Sequence, residues 1–470
     1  MKIFLSIILI SLLVNINYVS AQDAKRFEVI RDSIIARYNR QDYTGIYNLA
    51  DSSFKAKISQ QKLENFLAGN FSTGRFISVT LAKETGENKE YILRGQARDV
   101  IMVIGLNSKG ELNNFGLKNL PSVFRPISHI QSNNPKRTKF DLNVDSIAKA
   151  YFTFTNAAAL SIGIIKDGKE LTYHYGQPNK RKKALPNNKT GYQLASVSKT
   201  FTATLLAQAV LDNKVKLDDD IRQYLPGSYP NLEFNGKPIT LMNLANHTAL
   251  LPAIPPNLSA QQDFDPLSPS LHYTEELMYQ ALHKLKLQQE PGTSFNYSNM
   301  GMSLVGLILQ RVYQKDYDHL LSQYLTGPLK MKNTSVVLNK KQKQRMAIPY
   351  SNNGNIVSLW GNDIDQPAGG ISSTMSDMLK FLHAQINEIN PAIKLSHKPS
   401  SNNMGLGWGT RTINGKRDIQ HNGGGIAFRS NITLYPELNS GLVILMNNDC
   451  DQMVFNSLAT ALQRLISESK

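Results

Sequence analysis

Apolar residues recur with helical period near the start of the chain, where Phe27, Ile30, Ile34, Ile35 and Tyr38 share one stripe, and again at Leu63, Phe66 and Leu67. The period then becomes that of strands. Residues 76–82, 89–97, 99–106 and 111–117 alternate or run apolar, separated by the turn sequences Thr85-Gly-Glu-Asn and Asn107-Ser-Lys-Gly. Helices followed by an antiparallel meander predict a small α+β domain over residues 22–120. Residues 121–140, with Pro121, Pro126, Pro135 and several Asn and Ser, read as a linker. A larger domain over 141–470 follows. Its pattern predicts a helix at 144–151, a hairpin of strands 158–166 and 169–177 turning at Asp167-Gly168, and a short strand at 191–194 that feeds a long helix rich in Ala and Leu. A mostly helical stretch covers 211–325, and strands return from 404.

At 470 residues, 41% hydrophobic and 19% charged, the composition is that of a globular chain with room for two domains. It also opens on what reads as a secretory signal at 1–21: Lys2, an apolar run from Ile3 to Val14, and the small-residue site Val19-Ser-Ala21 before Gln22. That run is too short to span a bilayer, and no later run reaches the roughly 18 apolar residues a span needs. The expectation is an exported protein, periplasmic or extracellular, with no integral membrane span. Cys450 is the single cysteine, so an intrachain disulfide and a cysteine-rich metal site are excluded. The histidines are scattered, and neither a metal nor a cofactor is expected. The formal charge of +16 suits an anionic partner such as a cell-envelope polymer. The basic clusters at Lys136, Arg137 and Lys139, at Lys180–Lys183 and at Lys340–Arg345 lie in turn-rich sequence without interleaved aromatics. They read as solvated surface, and nucleic-acid binding is not expected.

Three stretches carry candidate chemistry. In the first, Ser196 and Lys199 stand three apart at the head of the apolar helix, so one helical turn sets the amine beside the hydroxyl. A serine hydroxyl is a weak nucleophile until a neighbouring base takes its proton. The same spacing recurs at Ser52/Lys55, Ser59/Lys62 and Ser467/Lys470; what separates Ser196 is the strand that leads into it. The alternative is a capping serine at an ordinary helix start. In the second, Pro291-Gly-Thr-Ser-Phe-Asn-Tyr-Ser-Asn places Tyr297 and Asn299 before the helix 302–312. Tyr229-Pro-Asn231 and Tyr350-Ser-Asn352 repeat the pairing, but the Pro-Gly entry and helix start favour a functional loop at Tyr297. The third is His421-Asn-Gly-Gly-Gly, where glycines 423–425 allow close backbone approach to a ligand. His421 then points either into a cleft as a donor or away to the surface.

Ser196-Val-Ser-Lys199, Tyr297-Ser-Asn299 and His421-Asn-Gly423, in that order around a helical insertion, resemble the three boxes of the serine β-lactamase and penicillin-binding-protein superfamily. The nearest branch holds class C β-lactamases, D-alanyl-D-alanine carboxypeptidases and esterases. Leu241–Pro252 with His247-Thr248, Pro367-Ala-Gly-Gly-Ile-Ser-Ser-Thr with Asp377, and Gly405-Leu-Gly-Trp408 resemble further segments of it. The resemblance covers about 141–465 and implies a β-lactamase-like fold, an antiparallel sheet flanked by helices with an all-helical subdomain. It also implies that Ser196 forms an acyl-enzyme, that Lys199 and Tyr297 share the proton work, and that Asn299 bonds Lys199 or a substrate amide. The backbone N–H groups of Ser196 and Gly424 would make the oxyanion hole, with His421, Asn422 and Gly423 supporting the substrate. His421 stands where β-lactamases of this kind carry lysine, and resembles carboxypeptidase and aminopeptidase members. His247 reads as a loop-packing residue. The implied substrate is a D-amino-acid peptide, a small peptide or an ester; the alternative is a weakly catalytic binding or sensor protein of the envelope. The first domain is similar in element order alone to small cystatin-like and nuclear-transport-factor-like domains, which says nothing of its role.

Overall fold

The structure, a computed structural model, describes residues 24–468 apart from 70–72, 86, 121–124, 126, 128, 155, 360–363 and 401. The expected signal segment lies outside the described residues. The chain forms two compact units that divide between residues 121 and 122.

In the first unit a helix at 24–39 (α1) is followed by α2 (Tyr43–Asn48), α3 (Ser52–Lys57) and α4 (Gln60–Gly69). Asp42 and Asp51 start α2 and α3, their carboxylates accepting from the N–H groups of Gly45 and Phe54. The strands β1 (Phe76–Thr85), β2 (Asn88–Gly95), β3 (Val100–Leu106) and β4 (Leu112–Asn119) form an antiparallel meander in that order. Ile34 and Tyr38 of α1 and Leu63 and Leu67 of α4 pack on Tyr91, Leu93, Met102 and Ile104 of the sheet. Phe66 departs from the expected stripe: Leu63 and Leu67 lie four apart on the buried face, and Phe66 turns outward, 41% exposed.

The second unit takes up much of what reads as linker in the sequence. Arg125 N–H donates to the Thr153 carbonyl at 2.8 Å, Gly176 N–H to that of Gln131 at 3.0 Å, and Asn133 N–H to that of His174 at 3.1 Å. Residues 131–133 thus lie against the outer strand of the main sheet, and polar residues that look like a spacer satisfy an otherwise open edge. Next come α5 (Lys139–Phe152), closed at its start by a Thr138/Asp141 capping box, the hairpin β5 (Ala159–Lys166) and β6 (Lys169–Gly176), and the short β7 (Gly191–Gln193). After α6 (Ser198–Leu211), a small hairpin β8 (Glu233–Phe234) and β9 (Lys237–Pro238), α7 (Leu241–Ala245), α8 (Glu275–Lys284) and α9 (Asn299–Tyr313) build the helical region. The chain returns through β10 (Ser372–Thr374), which pairs with β7, to β11 (Gly409–Ile413), β12 (Lys416–Gly424), β13 (Arg429–Tyr435) and β14 (Ser440–Met446).

The main sheet is antiparallel throughout, in the order β11-β12-β13-β14-β5-β6. Both its faces are covered, as alternation along the central strands requires. Leu160, Ile162, Ile164, Leu442, Ile444 and Met446 meet α5 and the helix Gln452–Ser467. Ile165, Val443 and Leu445 face the larger core with α6 and the helix Met375–Ile386. This is the β-lactamase-like arrangement the boxes imply.

Candidate active site

Helix α6 has no polar face: Ser198 through Ala207 and Ala209 are all buried, so the helix runs through the core. Its three threonines at 200, 202 and 204 dispose of their hydroxyls on carbonyls, Thr200 on Val197 at 2.8 Å, Thr202 on Pro367 at 2.6 Å and Thr204 on Thr200 at 2.8 Å. A 3₁₀ turn, Ala195–Val197, joins β7 to the helix and carries Ser196. Ala195 holds φ at +45°, a left-handed conformation costly for a residue with a Cβ, directly before that serine.

Lys199, fully buried, has three acceptors around Nζ: Asn299 Oδ1 at 2.7 Å, the Ala368 carbonyl at 2.7 Å and Ser196 Oγ at 3.2 Å. The two carbonyl-type oxygens can only accept, so they fix two N–H directions and leave the third on the serine. The Tyr297 ring lies beside the same nitrogen, its centroid 4.9 Å from Nζ. Ser196, Lys199, Tyr297 and Asn299, up to 103 positions apart in the sequence, thus form one cluster. The Ser52 and Ser59 repeats lie on small helices of the first unit with exposed serines, and Ser467/Lys470 reaches beyond the described residues. Tyr229 and Tyr350 are buried, the latter accepting Lys180 N–H at 2.9 Å.

Strand β12 closes the other side. A Cβ on Gly423 would sit 2.3 Å from the Leu194 carbonyl and 3.2 Å from Ser196 N, so only glycine lets the strand press on the backbone of the serine turn. His421 is buried and donates Nδ1–H to the Gly407 carbonyl at 2.8 Å. Gly407, at φ +64°, itself rests against the Lys199 carbonyl. The His421 ring centroid is 6.4 Å from that of Tyr297. Burial, reinforced by the Lys199 charge, pushes its pKa down to about 3, so His421 is a neutral imidazole beside the lysine. Asn422 alternates to the opposite face, exposed, with Oδ1 accepting from Asn431 Nδ2 at 2.6 Å. The strand thus brings His421 and Gly423 to the cluster and turns Asn422 away. Gly424 pairs with Arg429 at the strand end.

Two contributors carry little signal in the sequence. The Ala368 carbonyl is offered by the turn Gln366–Gly370, and any residue could supply it. Asp365 holds that turn, accepting from Ser303 Oγ at 2.9 Å and from Ser270 Oγ, with its own carbonyl accepting Ala368 N–H at 2.9 Å. The other is His247, whose ring centroid lies 4.5 Å from that of Tyr297. The family segment in which it stands was its only mark. Among the described residues there is no cluster of His, Cys, Asp and Glu able to hold a metal ion, and no helix long and apolar enough to cross a membrane.

The buried histidines make a prediction for stability. Burial lowers the pKa of His174 and His397, that of His421 to about 3 and that of His247 to about 2. Below about pH 6.5 the unfolded chain binds more protons at these positions than the folded chain does, so stability falls as the pH is lowered across that window. Urea unfolding followed from pH 7 to pH 4 is expected to show a steadily falling midpoint; a flat midpoint would contradict the neutral assignments.

The chain is 28% identical over 326 residues to "Protein flp" of Staphylococcus aureus (strain MRSA252), covering 65% of this chain and 62% of that protein, so it spans about three fifths of this relative's length. It is 24% identical over 351 residues to the D-alanyl-D-alanine-carboxypeptidase/endopeptidase AmpH of Escherichia coli (strain K12), covering 69% of this chain and 88% of AmpH. Among solved structures, a beta-lactamase/D-alanine carboxypeptidase from Yersinia pestis complexed with citrate superposes with a TM-score of 0.60 at 24% identity, over 70% of this chain and 98% of that one. A class C beta-lactamase does so with a TM-score of 0.62 at 20% identity, over 72% and 99%. A family model described as "Beta-lactamase" matches residues 144–463, well over half of the 470, and the chain belongs to the beta-lactamase family of serine hydrolases.

Proposed function

We propose that the protein is exported and acts by acyl transfer through Ser196 on amide or ester substrates: D-amino-acid peptides, other small peptides or simple esters. The observation that carries this reading is the third direction of Lys199 Nζ, which ends on Ser196 Oγ at 3.2 Å while the other two are held by Asn299 and Ala368. On that line the nitrogen either donates a proton to Oγ or, as an amine, takes one from it. Oγ attacks the substrate carbonyl carbon, its proton passing to the Lys199/Tyr297 pair. The tetrahedral oxyanion then collapses and expels an amine or alcohol, which takes that proton. Water, deprotonated by the same pair, cleaves the acyl ester and the proton returns to Oγ. The N–H groups of Ser196 and Gly424 are the oxyanion donors in this scheme, each worth on the order of 3 kcal/mol. The close seating of Gly423 on Ser196 N supports that role.

Neutral His421 offers no fixed cation to a substrate carboxylate, which supports esters and peptides lacking a carboxylate at that place over β-lactams and D-alanyl peptides. Export rests on the amino-terminal pattern of residues 1–21. An anionic polymer as carrier of the substrate is supported by the basic runs 180–183 and 340–345, which contain no acidic residue. Ile348 N–H, donating to the Pro178 carbonyl at 2.8 Å, draws the segments bearing them together. The test is turnover of D-alanyl peptides, L-peptides, simple esters and a β-lactam by the purified protein. Ester or peptide cleavage at least tenfold faster than β-lactam opening is expected. Measurable peptide binding without cleavage of any member would overturn the hydrolase reading in favour of a sensor.

A further inference from the structure

We infer that His247 is a positioning residue that fixes Tyr297 against Lys199, an inference that rests on the part given to Tyr297 in the proposed reaction. The loop bearing Tyr297 is lashed to the segment 247–253 by a series of hydrogen bonds. Gly292 N–H donates to the Thr248 carbonyl at 2.9 Å, Asn296 Nδ2 to that of Leu251 at 2.8 Å, Ser298 Oγ to that of Pro252 at 2.6 Å, and Asn299 N–H to that of Ala253 at 2.9 Å. His247 holds the two bonds nearest the tyrosine. Its carbonyl accepts Asn296 N–H at 2.7 Å and its Nδ1 accepts Ser298 N–H at 3.2 Å, so the residues on both sides of Tyr297 hang from one histidine. Its ring, 1% exposed, then packs on the Tyr297 ring at 4.5 Å and 37°, with Phe295 edge-on at 5.8 Å.

Two features show that ordinary loop packing does not explain this residue. His247 sits at φ +61°, a left-handed conformation uncommon outside glycine, which histidine and asparagine enter more readily than most residues. Accepting a backbone N–H at Nδ1 places the ring proton on Nε2, and Nε2 is buried with no hydrogen-bond partner among the described residues. A strained backbone and an unpartnered donor are tolerated where function requires the geometry. The requirement visible here is a neutral acceptor and a flat ring under Tyr297. Protonating Nδ1 would both release Ser298 and add a cation next to Lys199.

Two variants of the full chain separate this role from mere packing, because both suit the left-handed backbone. His247→Asn keeps an acceptor near the Nδ1 position and His247→Gly removes it. With an activated ester, His247→Gly is expected to lower kcat by up to about 100-fold, with KM changed by no more than about threefold, and His247→Asn to recover most of that loss. Amide hydrogen exchange supplies a readout independent of activity: Ser298 N–H should exchange faster in His247→Gly than in His247→Asn. Faster exchange at Ser298 with wild-type kcat in both variants would overturn the positioning role. Equal losses in the two folded variants would do the same. Tyr297→Phe, assayed alongside, isolates the underlying reading: wild-type kcat in that variant would refute the part given to Tyr297, whatever the histidine variants show.

Discussion

Ser196→Ala is expected to lower kcat by about a millionfold while leaving the protein folded and as stable as before. The two halves of this expectation have separate causes. The neighbouring hydroxyls of Thr200, Thr202 and Thr204 are spent on carbonyls and do not stand in for that of Ser196. Stability is insensitive because Ser196 is only half-buried and, among the described residues, its Oγ bonds only Lys199, which keeps Asn299 Oδ1 and the Ala368 carbonyl at 2.7 Å. The melting temperature should stay within about 2 °C, as for substitutions away from packed features. A variant that keeps activity would place the nucleophile elsewhere.

Lys199→Met is expected to lower kcat by at least about a thousandfold, in the range of a lost general base, and to raise stability by about 1–3 kcal/mol. The sign follows from competing terms. Methionine of similar length strands two buried oxygens, at a cost of about 1–3 kcal/mol each. It also removes a fully buried amine with no carboxylate among its hydrogen-bond partners, and desolvating such a charge costs several kcal/mol. The desolvation term is the larger, so a less active and more stable protein is expected from kinetics and thermal unfolding. A lower melting temperature would mean that the three hydrogen bonds of Lys199 outweigh its desolvation. A gain in stability for Lys199→Met, beside no change for Ser196→Ala, would show that the lysine is held against the preference of the fold.

The elements were legible where pattern alone decides them. The strands of the first unit, the β5–β6 hairpin and the buried α6 lie within a few residues of their expected positions, because alternation and a long run rich in Ala and Leu admit few other readings. The cluster of Ser196, Lys199, Tyr297 and Asn299 was legible because each sits in a short ordered motif. Side-chain placement beyond that was not. The motif at 421–423 does not say that its middle residue faces outward; strand pairing with β13 decides it. The Ala368 carbonyl is a backbone group that any residue could offer. His247 reads as loop packing until Tyr297, fifty positions away, is seen resting on it. Residues 121–140 read as a linker because a polar, proline-bearing segment looks alike whether it is solvated or, as at 131–133, laid along a strand edge.

The central claim, an acyl-enzyme on Ser196, is tested most directly by intact mass. The purified protein and Ser196→Ala would be incubated with activated esters, D-alanyl peptides and β-lactams and sampled over time. The account predicts a mass increase equal to the acyl group on the wild type, absent from the alanine variant, with a lifetime that is short for good substrates and longer for β-lactams. An adduct of the same mass on Ser196→Ala, or turnover by that variant at the wild-type rate, would contradict it.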